Sequence, residues 1–526
     1  MNPLSSVGPP ASAVRTGFAA PGFTGRSRWP AASRQRQPPA NDGSSQHSIV
    51  PGEHATSCEK LKRTMSATAE AGLLRDLEAV AGAGHVLAGE DAKDDYFHDE
   101  ALGLEPVRPL AVVFPADAEQ TRRIVELANQ TGTPLTARGS GTGLAGACIP
   151  RGDGIVVSFE RMNTIREIDT DNHVAVVQPG VTLRQLDEAT ATRGLVYPVF
   201  PGESSASLGG NVATNAGGMR AVKYGVTRHQ VLGLQAVLGT GESIRTGGKF
   251  VKSTAGYDLT QLIVGSEGTL ALVTEAILRL YPRPSHAATV LAPFASLPAC
   301  MSAVPKLIRT GVGPLMVEYI DRGTMAALAK AGDLELGVPA AIKGHTVAYL
   351  VVVLENTRED RLAEDTELVA NLLGDLEALD VYVLPPQAGA QLIAARERAF
   401  WVAKAVGADD ILDVVVPRAD ISPFMDEVAE LAAKTGSWVS GCGHAGDGNV
   451  HLSVLQPDPV KRAEVIEGIL RAGADRGGAI SGEHGIGLGK KKYLAAIEDP
   501  AKLALWRRIK TAFDPNDILN PGAIFE

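Results

Sequence analysis

Cysteine is scarce in this chain of 526 residues: there are four, Cys58, Cys148, Cys300 and Cys442. None forms a CxxC pair, so an iron–sulfur cluster built from this chain alone is excluded, and no disulfide framework is indicated. Long apolar runs are also missing. Without a stretch of about 18 uncharged apolar residues, a transmembrane helix is not expected. Acids are absent before Asp42 and abundant afterwards: residues 1–64 carry a net charge of +5 and the remainder −15. An acidic body of this kind argues against nucleic acid as a partner. Apolar residues at 44% and charged residues at 21% fit a soluble globular protein. The length exceeds one ordinary core and points to two domains plus a tail.

That tail is residues 1–64, rich in Ser, Pro, Ala and Arg and lacking apolar periodicity, so disorder is expected there. Its composition fits an organellar transit peptide, while Met65 reads equally well as the true start. The expected location is the cytoplasm, with peripheral contact at the inner membrane as a variant; a transit peptide would instead direct the protein to the mitochondrial matrix.

Glycine, by contrast, is in excess. Pro201–Gly225 carries six, Gly202, Gly209, Gly210, Gly217, Gly218 and Gly225, with two asparagines and Leu208 as the one long aliphatic residue before Met219. Each glycine costs entropy on folding, so the segment reads as backbone freed to approach a large polar ligand, one that carries phosphates. A second glycine run, Arg138–Gly146, formally contains GxGxxG at Gly141, Gly143 and Gly146. A Rossmann turn must open a helix. Here Pro150 and Gly152 follow quickly and residues 155–159 read as a strand, so a glycine nest around a pyrophosphate fits better.

Periodicity predicts helices over Ala69–Val80, Ala118–Thr131 and Leu183–Ala191. Strands are expected at Ala111–Phe114, Leu135–Ala137, 155–159, Val174–Gln178, Val231–Leu238 and around Glu242–Arg245. Pro282 and Pro284 mark a boundary. Beyond it, strands at His345–Glu355, Val381–Leu384 and Ile411–Val416 alternate with helices at Arg358–Leu373, Pro423–Thr435 and Pro459–Arg476. That texture indicates an α+β domain with an antiparallel sheet.

Histidines cluster in this second part, in Gly443-His444-Ala-Gly-Asp447-Gly-Asn449-Val-His451 and in Ser481-Gly-Glu483-His484-Gly-Ile-Gly. On one unbroken strand His444 and His451 would face opposite ways; the Gly446-Asp447-Gly448 turn resets the phase and lets the rings converge. Two imidazoles and a carboxylate with an open position suit Zn²⁺ or Mn²⁺. From spacing alone, hydrogen-bonded loop histidines are the more ordinary reading of the same residues. Asp447 suits its own turn better than a metal.

Pro134–Pro150, Pro201–Gly225 and Gly265–Thr274, in that order, resemble the vanillyl-alcohol oxidase/p-cresol methylhydroxylase family of FAD-linked oxidoreductases. The sequence is similar to the branch holding D-lactate dehydrogenase, D-2-hydroxyglutarate dehydrogenase and the glycolate oxidase large subunit. The resemblance implies a p-cresol methylhydroxylase (PCMH)-type FAD-binding domain of two subdomains over 69–284. It further implies an α+β cap domain over 285–505 and a C-terminal segment, 506–526, that returns to the first domain. FAD would be held by Arg138, Gly139, Ser140, Gly141, Thr142 and Gly143, by Pro201, Gly202, Ser205, Gly209, Gly210, Asn211 and Thr214, by Gly217, Gly218, Gly265, Glu267, Gly268 and Thr269, and by Asn520 near the ring. Covalent relatives often place a histidine near the position of Thr142, and its absence here implies a noncovalent flavin.

By the same resemblance His444, His451 and Glu483 bind a divalent metal, His484 is the base, and Arg396 grips a substrate carboxylate; Arg398, or a solvated helix charge, is the alternative for the last. Ile411 replaces a lysine, and Phe400 a hydroxylated residue, of the D-2-hydroxyglutarate enzymes. Both changes favour a monocarboxylate such as D-lactate, glycolate or a longer D-2-hydroxy acid, with Ser453 a further polar candidate. The electron acceptor would be a quinone, an electron-transfer protein or O₂; an iron–sulfur subunit or a homodimer completes the expected partners.

Overall fold

A computed structural model describes residues 67–525. The expectation for residues 1–64 lies outside the described residues. The helix Ala67–Ala81 packs with Ala118–Thr131 over a four-stranded sheet. In that sheet Ala111–Val113, Ile155–Ser158 and Leu135–Arg138 are parallel, and Val86–Ala88 is an antiparallel edge. Capping explains why Ala118–Thr131 begins and ends where its periodicity predicts. The Asp117 side chain accepts from the backbone N–H of Gln120, and Gly132 closes the helix in the left-handed region at φ 67.

A five-stranded antiparallel sheet follows, in the order Ile165–Asp169, Val174–Val177, Ala271–Arg279, Val231–Leu238, Ser243–Gly247. Between these strands runs the glycine-rich segment. It contains a helix that periodicity did not predict, Leu208–Thr214, started by the Ser207 hydroxyl accepting from Gly210 N–H at 3.2 Å.

The remaining residues build a seven-stranded sheet, antiparallel throughout. Its order is Tyr382–Leu384, His286–Phe294, Ala348–Asn356, Met316–Asp321, Trp438–His444, Asn449–Leu455, Asp410–Val415. The expected strand at His345–Glu355 begins later, because Ala340–His345 is a helical turn ending at Thr346, whose hydroxyl donates to the Ile342 carbonyl. The strands His286–Phe294 and Met316–Asp321 went unpredicted.

Strand alternation sorts this sheet into two faces. Leu412, Val414, Val450, Leu452 and Val454 point into a core shared with the helices Leu297–Arg309, Ile421–Thr435 and Pro459–Asp475. The residues between them, Ile411, Asp413, His451 and Ser453, point the other way. At the C terminus the backbone returns to the first sheet: Leu519 pairs with Leu135, and Asn520 N–H donates to the Leu135 carbonyl at 2.7 Å. No helix among the described residues is long and apolar enough to cross a membrane.

Candidate active site

The polar face of the seven-stranded sheet meets the glycine-rich segments across one cavity of about 490 Å³. The hairpin of Trp438–His444 and Asn449–Leu455 turns through Ala445–Gly448, where the Asp447 carboxylate accepts from Asn449 N–H at 3.2 Å. Its register sets Cys442 opposite His451 and His444 opposite Asn449, which brings both histidines to one face with ring centroids 4.9 Å apart.

A loop between the helices Pro459–Asp475 and Lys491–Ile497 supplies Glu483 and His484. Buried Asp413 fixes this loop: its Oδ2 accepts from the Ser481 hydroxyl and from the backbone N–H groups of Gly482, Glu483 and His484, all within 2.9 Å. Its Oδ1 takes the Asn449 amide at 2.7 Å. Glu267 anchors the far side of the loop, accepting from Ile486 and Gly487 N–H at 2.8 and 2.7 Å.

The resulting geometry is tight. Glu483 Oε1 lies 3.3 Å from His444 Nε2 and 3.2 Å from His451 Nε2. His451 Nε2 also lies 2.8 Å from Asn449 Oδ1, and the His484 ring is 5.1 Å from that of His451. Glu318 completes the group from the strand Met316–Asp321. It takes His444 Nδ1 at 2.7 Å on one oxygen, and its other oxygen faces Arg396 Nη2 at 2.9 Å. The second contact is an ion pair without hydrogen-bond alignment, since both of its atoms lack a hydrogen-bond partner. Arg396, 6% exposed, is therefore no solvated helix charge; it lines the cavity and Arg398 does not.

Burial and neighbours set the charges. Burial penalises charge on His444, but Glu318 and Glu483 on either side override it and raise its pKa well above the ordinary range. Burial would likewise raise Glu483, yet His444 and His451 hold it well below the usual carboxylate range. His484 is pushed down to about 4, first by burial and further by Lys490, against the pull of Asp413. Asp413 stays well below its ordinary value because His484, Lys490 and His451 outweigh its desolvation. Burial takes Glu267 and Asp447 up to about 7.

Among the described residues, two trios could hold an ion: His444, His451 and Glu483, or Asp413, His451 and His484. The first fits better, because Asp413 is committed to the loop while buried Glu483 Oε2 has no partner. Arg396 Nε and His484 Nδ1 are likewise buried and unpartnered on the same wall.

On the facing wall, Arg138–Gly143, Pro201, Gly202, Gly209–Asn211, Thr214, Gly218, Glu267 and Gly268 line the cavity. Ser205, Gly217, Gly265, Thr269 and Asn520 do not line it. The Ser205 carbonyl accepts from the Ser140 hydroxyl at 2.6 Å, and the Asn520 amide is spent on the carbonyls of Ala147 and Glu267. Gly217 passes so close to the loop that a Cβ there would fall 2.8 Å from Glu483 Oε2. Thr142 adds a hydroxyl and no imidazole to this wall.

Glu318 is not among the residues predicted from sequence, and Asp413 enters there only within the strand Ile411–Val416 and as the acid two residues after Ile411. The signal for both was a carboxylate inside a strand otherwise made largely of apolar residues, MVEYID and DILDVV.

Residues 109–247 match the family described as FAD binding domain, and residues 283–524 the one described as FAD linked oxidases, C-terminal domain. An uncharacterized FAD-linked oxidoreductase of Mycobacterium tuberculosis is 54% identical over 446 residues, 85% of this chain and 97% of the relative. The chain belongs to the FAD-linked oxidoreductases. Another member of this family that it resembles, a D-lactate dehydrogenase of Anaerostipes hadrus, is 35% identical over 84% of this chain and 94% of the relative. The fold of this FAD-linked oxidoreductase is that of p-cresol methylhydroxylase, whose crystal structure superposes with a TM-score of 0.72 at 18% identity, covering 87% of this chain and 97% of that one.

Proposed function

We propose that this FAD-linked oxidoreductase converts a D-2-hydroxy monocarboxylate to the 2-oxo acid, with His484 as base, Arg396 as carboxylate grip and His444, His451 and Glu483 as metal ligands. The observation that carries the reading is that Glu483, Arg396 and His484 line the wall opposite the glycine segments and that each keeps a buried atom without a hydrogen-bond partner, Glu483 Oε2, Arg396 Nε and His484 Nδ1. Buried polar atoms are paired in folded proteins, so the set fits a cation at the Glu483 carboxylate and acceptor oxygens at the Arg396 guanidinium.

The residues fit both groups that the family implies. Asn211 Nδ2, unpartnered and buried in the glycine wall, fits a flavin nucleotide there, as do the backbone N–H groups of Arg138–Gly143. FAD, when bound, accepts the hydride released from the substrate α-carbon. For the metal, Glu318 holds His444 Nδ1 and so leaves Nε2 as the ligand atom, a carboxylate–histidine arrangement typical of metal sites. Zn²⁺ or Mn²⁺, when bound, lowers the pKa of the substrate hydroxyl.

The protein's own residues do the rest. Arg396 offers a planar two-point grip for the carboxylate, and Glu318 keeps the guanidinium aimed. His484, pushed down to about 4, is neutral near pH 7 and takes the hydroxyl proton on its ring. Asp413 sets the ring's position through the loop backbone. Ile411 and Phe400 line the cavity without charge, which supports a monocarboxylate. Anaerobic mixing of the purified protein with D-lactate, glycolate and longer D-2-hydroxy acids tests the reading: the yellow flavin is expected to bleach, and an unchanged spectrum with every acid would contradict it.

A further inference from the structure

The sheet face that carries His444 and His451 continues past them. Cross-strand partners share a face, and along the hairpin the rungs run His444/Asn449, Cys442/His451, Ser440/Ser453 and Trp438/Leu455, with Ile411 beside Ser453. Four residues separate the His451 rung from the Leu455 rung, roughly 13 Å at about 3.3 Å per residue. The helices Arg322–Gly332 and Ala399–Ala405 cover this stretch, through Ala327 and Val402 among others, and it is continuous with the cavity holding His484.

No charged side chain among the described residues stands on the rungs beyond His451; the acids lining the cavity are Glu100, Glu203, Glu267, Glu397 and Glu483. Among the described residues, the cations lining the cavity are Arg138, in the glycine wall, and Arg396, at the polar end. Lys404, at the rim, pairs with Glu100 at 2.8 Å and lies over the Trp401 ring. The hydroxyls of Thr324 and Ser440 lie 3.1 Å apart, and Ser440 also donates to Asp321. At the outer end Trp401, Val406 and Trp438 are 42%, 59% and 66% exposed. An apolar passage that begins at the reacting groups and ends in large exposed apolar side chains is built for an apolar ligand segment.

We propose that the arm holds the substituent on the substrate's α-carbon, an aliphatic or aromatic group well beyond the methyl of lactate, so that D-2-hydroxy acids with long apolar substituents are preferred. This rests on the reading of the polar end given above. A neighbouring cavity of about 280 Å³, sharing Phe400, Ile411 and His484, is the competing destination. It is lined by Arg462, Lys490 and Lys492, but Asp409 and Asp410 face them and Arg462 is paired with Asp409 at 3.0 Å. It suits a second carboxylate better than a hydrocarbon.

The test uses the full-length FAD-loaded enzyme. Flavin reduction is measured with D-lactate, D-2-hydroxybutanoate, D-2-hydroxyhexanoate, D-2-hydroxyoctanoate and D-2-hydroxyglutarate, and the matching 2-oxo acids are titrated calorimetrically. Both kcat/KM and 2-oxo-acid affinity should rise about threefold to fourfold per methylene, the worth of roughly 0.8 kcal/mol for each buried CH₂. Trp438→Ser and Leu455→Ser should each reduce the octanoate-to-lactate ratio several-fold, with unchanged FAD absorbance showing that the fold is kept. Equal rates for D-lactate and the octanoate, a preference for D-2-hydroxyglutarate, or ratios unmoved by both variants would overturn the inference while leaving the hydroxy-acid reaction standing. If no hydroxy acid bleaches the flavin but 2-oxo acids still bind more tightly with length, the arm stands and the proposed reaction falls.

Discussion

The two walls of the cavity are built in different ways. The amino-terminal wall is mostly backbone: glycines, short turns and a seven-residue helix with two glycines in it. The carboxy-terminal wall is mostly side chain, a set of acids, imidazoles and a guanidinium gathered over one sheet face from strands, a loop and a helix. Backbone N–H groups bind by position and need space around them. Side chains need partners that fix their tautomer and charge. Substitutions should therefore fail differently on the two walls, losing cofactor on one and chemistry on the other.

The largest effect is expected on the side-chain wall. His484→Ala should leave FAD bound and slow its reduction by substrate about 10²- to 10⁴-fold in rapid mixing, the usual share of a general base. A rate within twofold of the parent would remove His484 from the reaction.

Next in size is Glu318→Gln, which removes the anionic neighbour of Arg396 and one of the two carboxylates beside His444. Metal affinity measured by competition with a chromophoric chelator should fall about 10- to 100-fold, as for other partners of metal-bound histidines. Stability to denaturant should fall by about 3–5 kcal/mol, the cost of an uncompensated buried charge. Loss of stability with unchanged metal affinity would reduce Glu318 to a structural role.

The backbone wall is tested by Gly218→Ala. A Cβ there would meet the Phe200 carbonyl oxygen at 2.0 Å, and φ is 112, so about 1–3 kcal/mol of strain is expected. The predicted outcome is a lower FAD-to-protein ratio after purification, with residual reduction proportional to the flavin retained. Retained flavin with slowed chemistry would blur the division between the walls.

A smaller effect concerns pH. Because burial lowers His484 to about 4, the base is already neutral above that value. Reduction should change less than about twofold between pH 6 and 8 from this group, and decline only as pH falls towards 4. A limb centred near the reference value of about 6.5 would place the ring in a wetter site than the fold provides.

The same contrast governs what could be read from sequence. The glycine wall announced itself, because a dense glycine run has few other uses, and the helices Ala118–Thr131 and Leu183–Ala191 fell where their spacing predicts. The hairpin phase of His444 and His451 was also legible, from the turn between them. Glu318 was not. It lies 126 residues from His444, in a strand whose existence depends on pairing with Ala348–Asn356 and Trp438–His444, and no local pattern encodes such pairing. Asp413 could be noticed as an acid among valines, but its role as acceptor for three consecutive loop N–H groups exists only once the loop has closed on it. The apolar arm is likewise a property of register: Trp438, Ser440 and Cys442 form one line only because alternate residues of a strand share a face.

The central claim is that both walls act on one substrate, and metal removal tests it most directly. Full-length protein should be dialysed against a chelator, its metal content measured, and the visible spectrum followed after anaerobic mixing with a D-2-hydroxy acid. The account predicts that the flavin stays bound, that bleaching collapses as the ion is lost, and that Zn²⁺ or Mn²⁺ restores it. Bleaching at full rate in protein shown to be free of metal would contradict it.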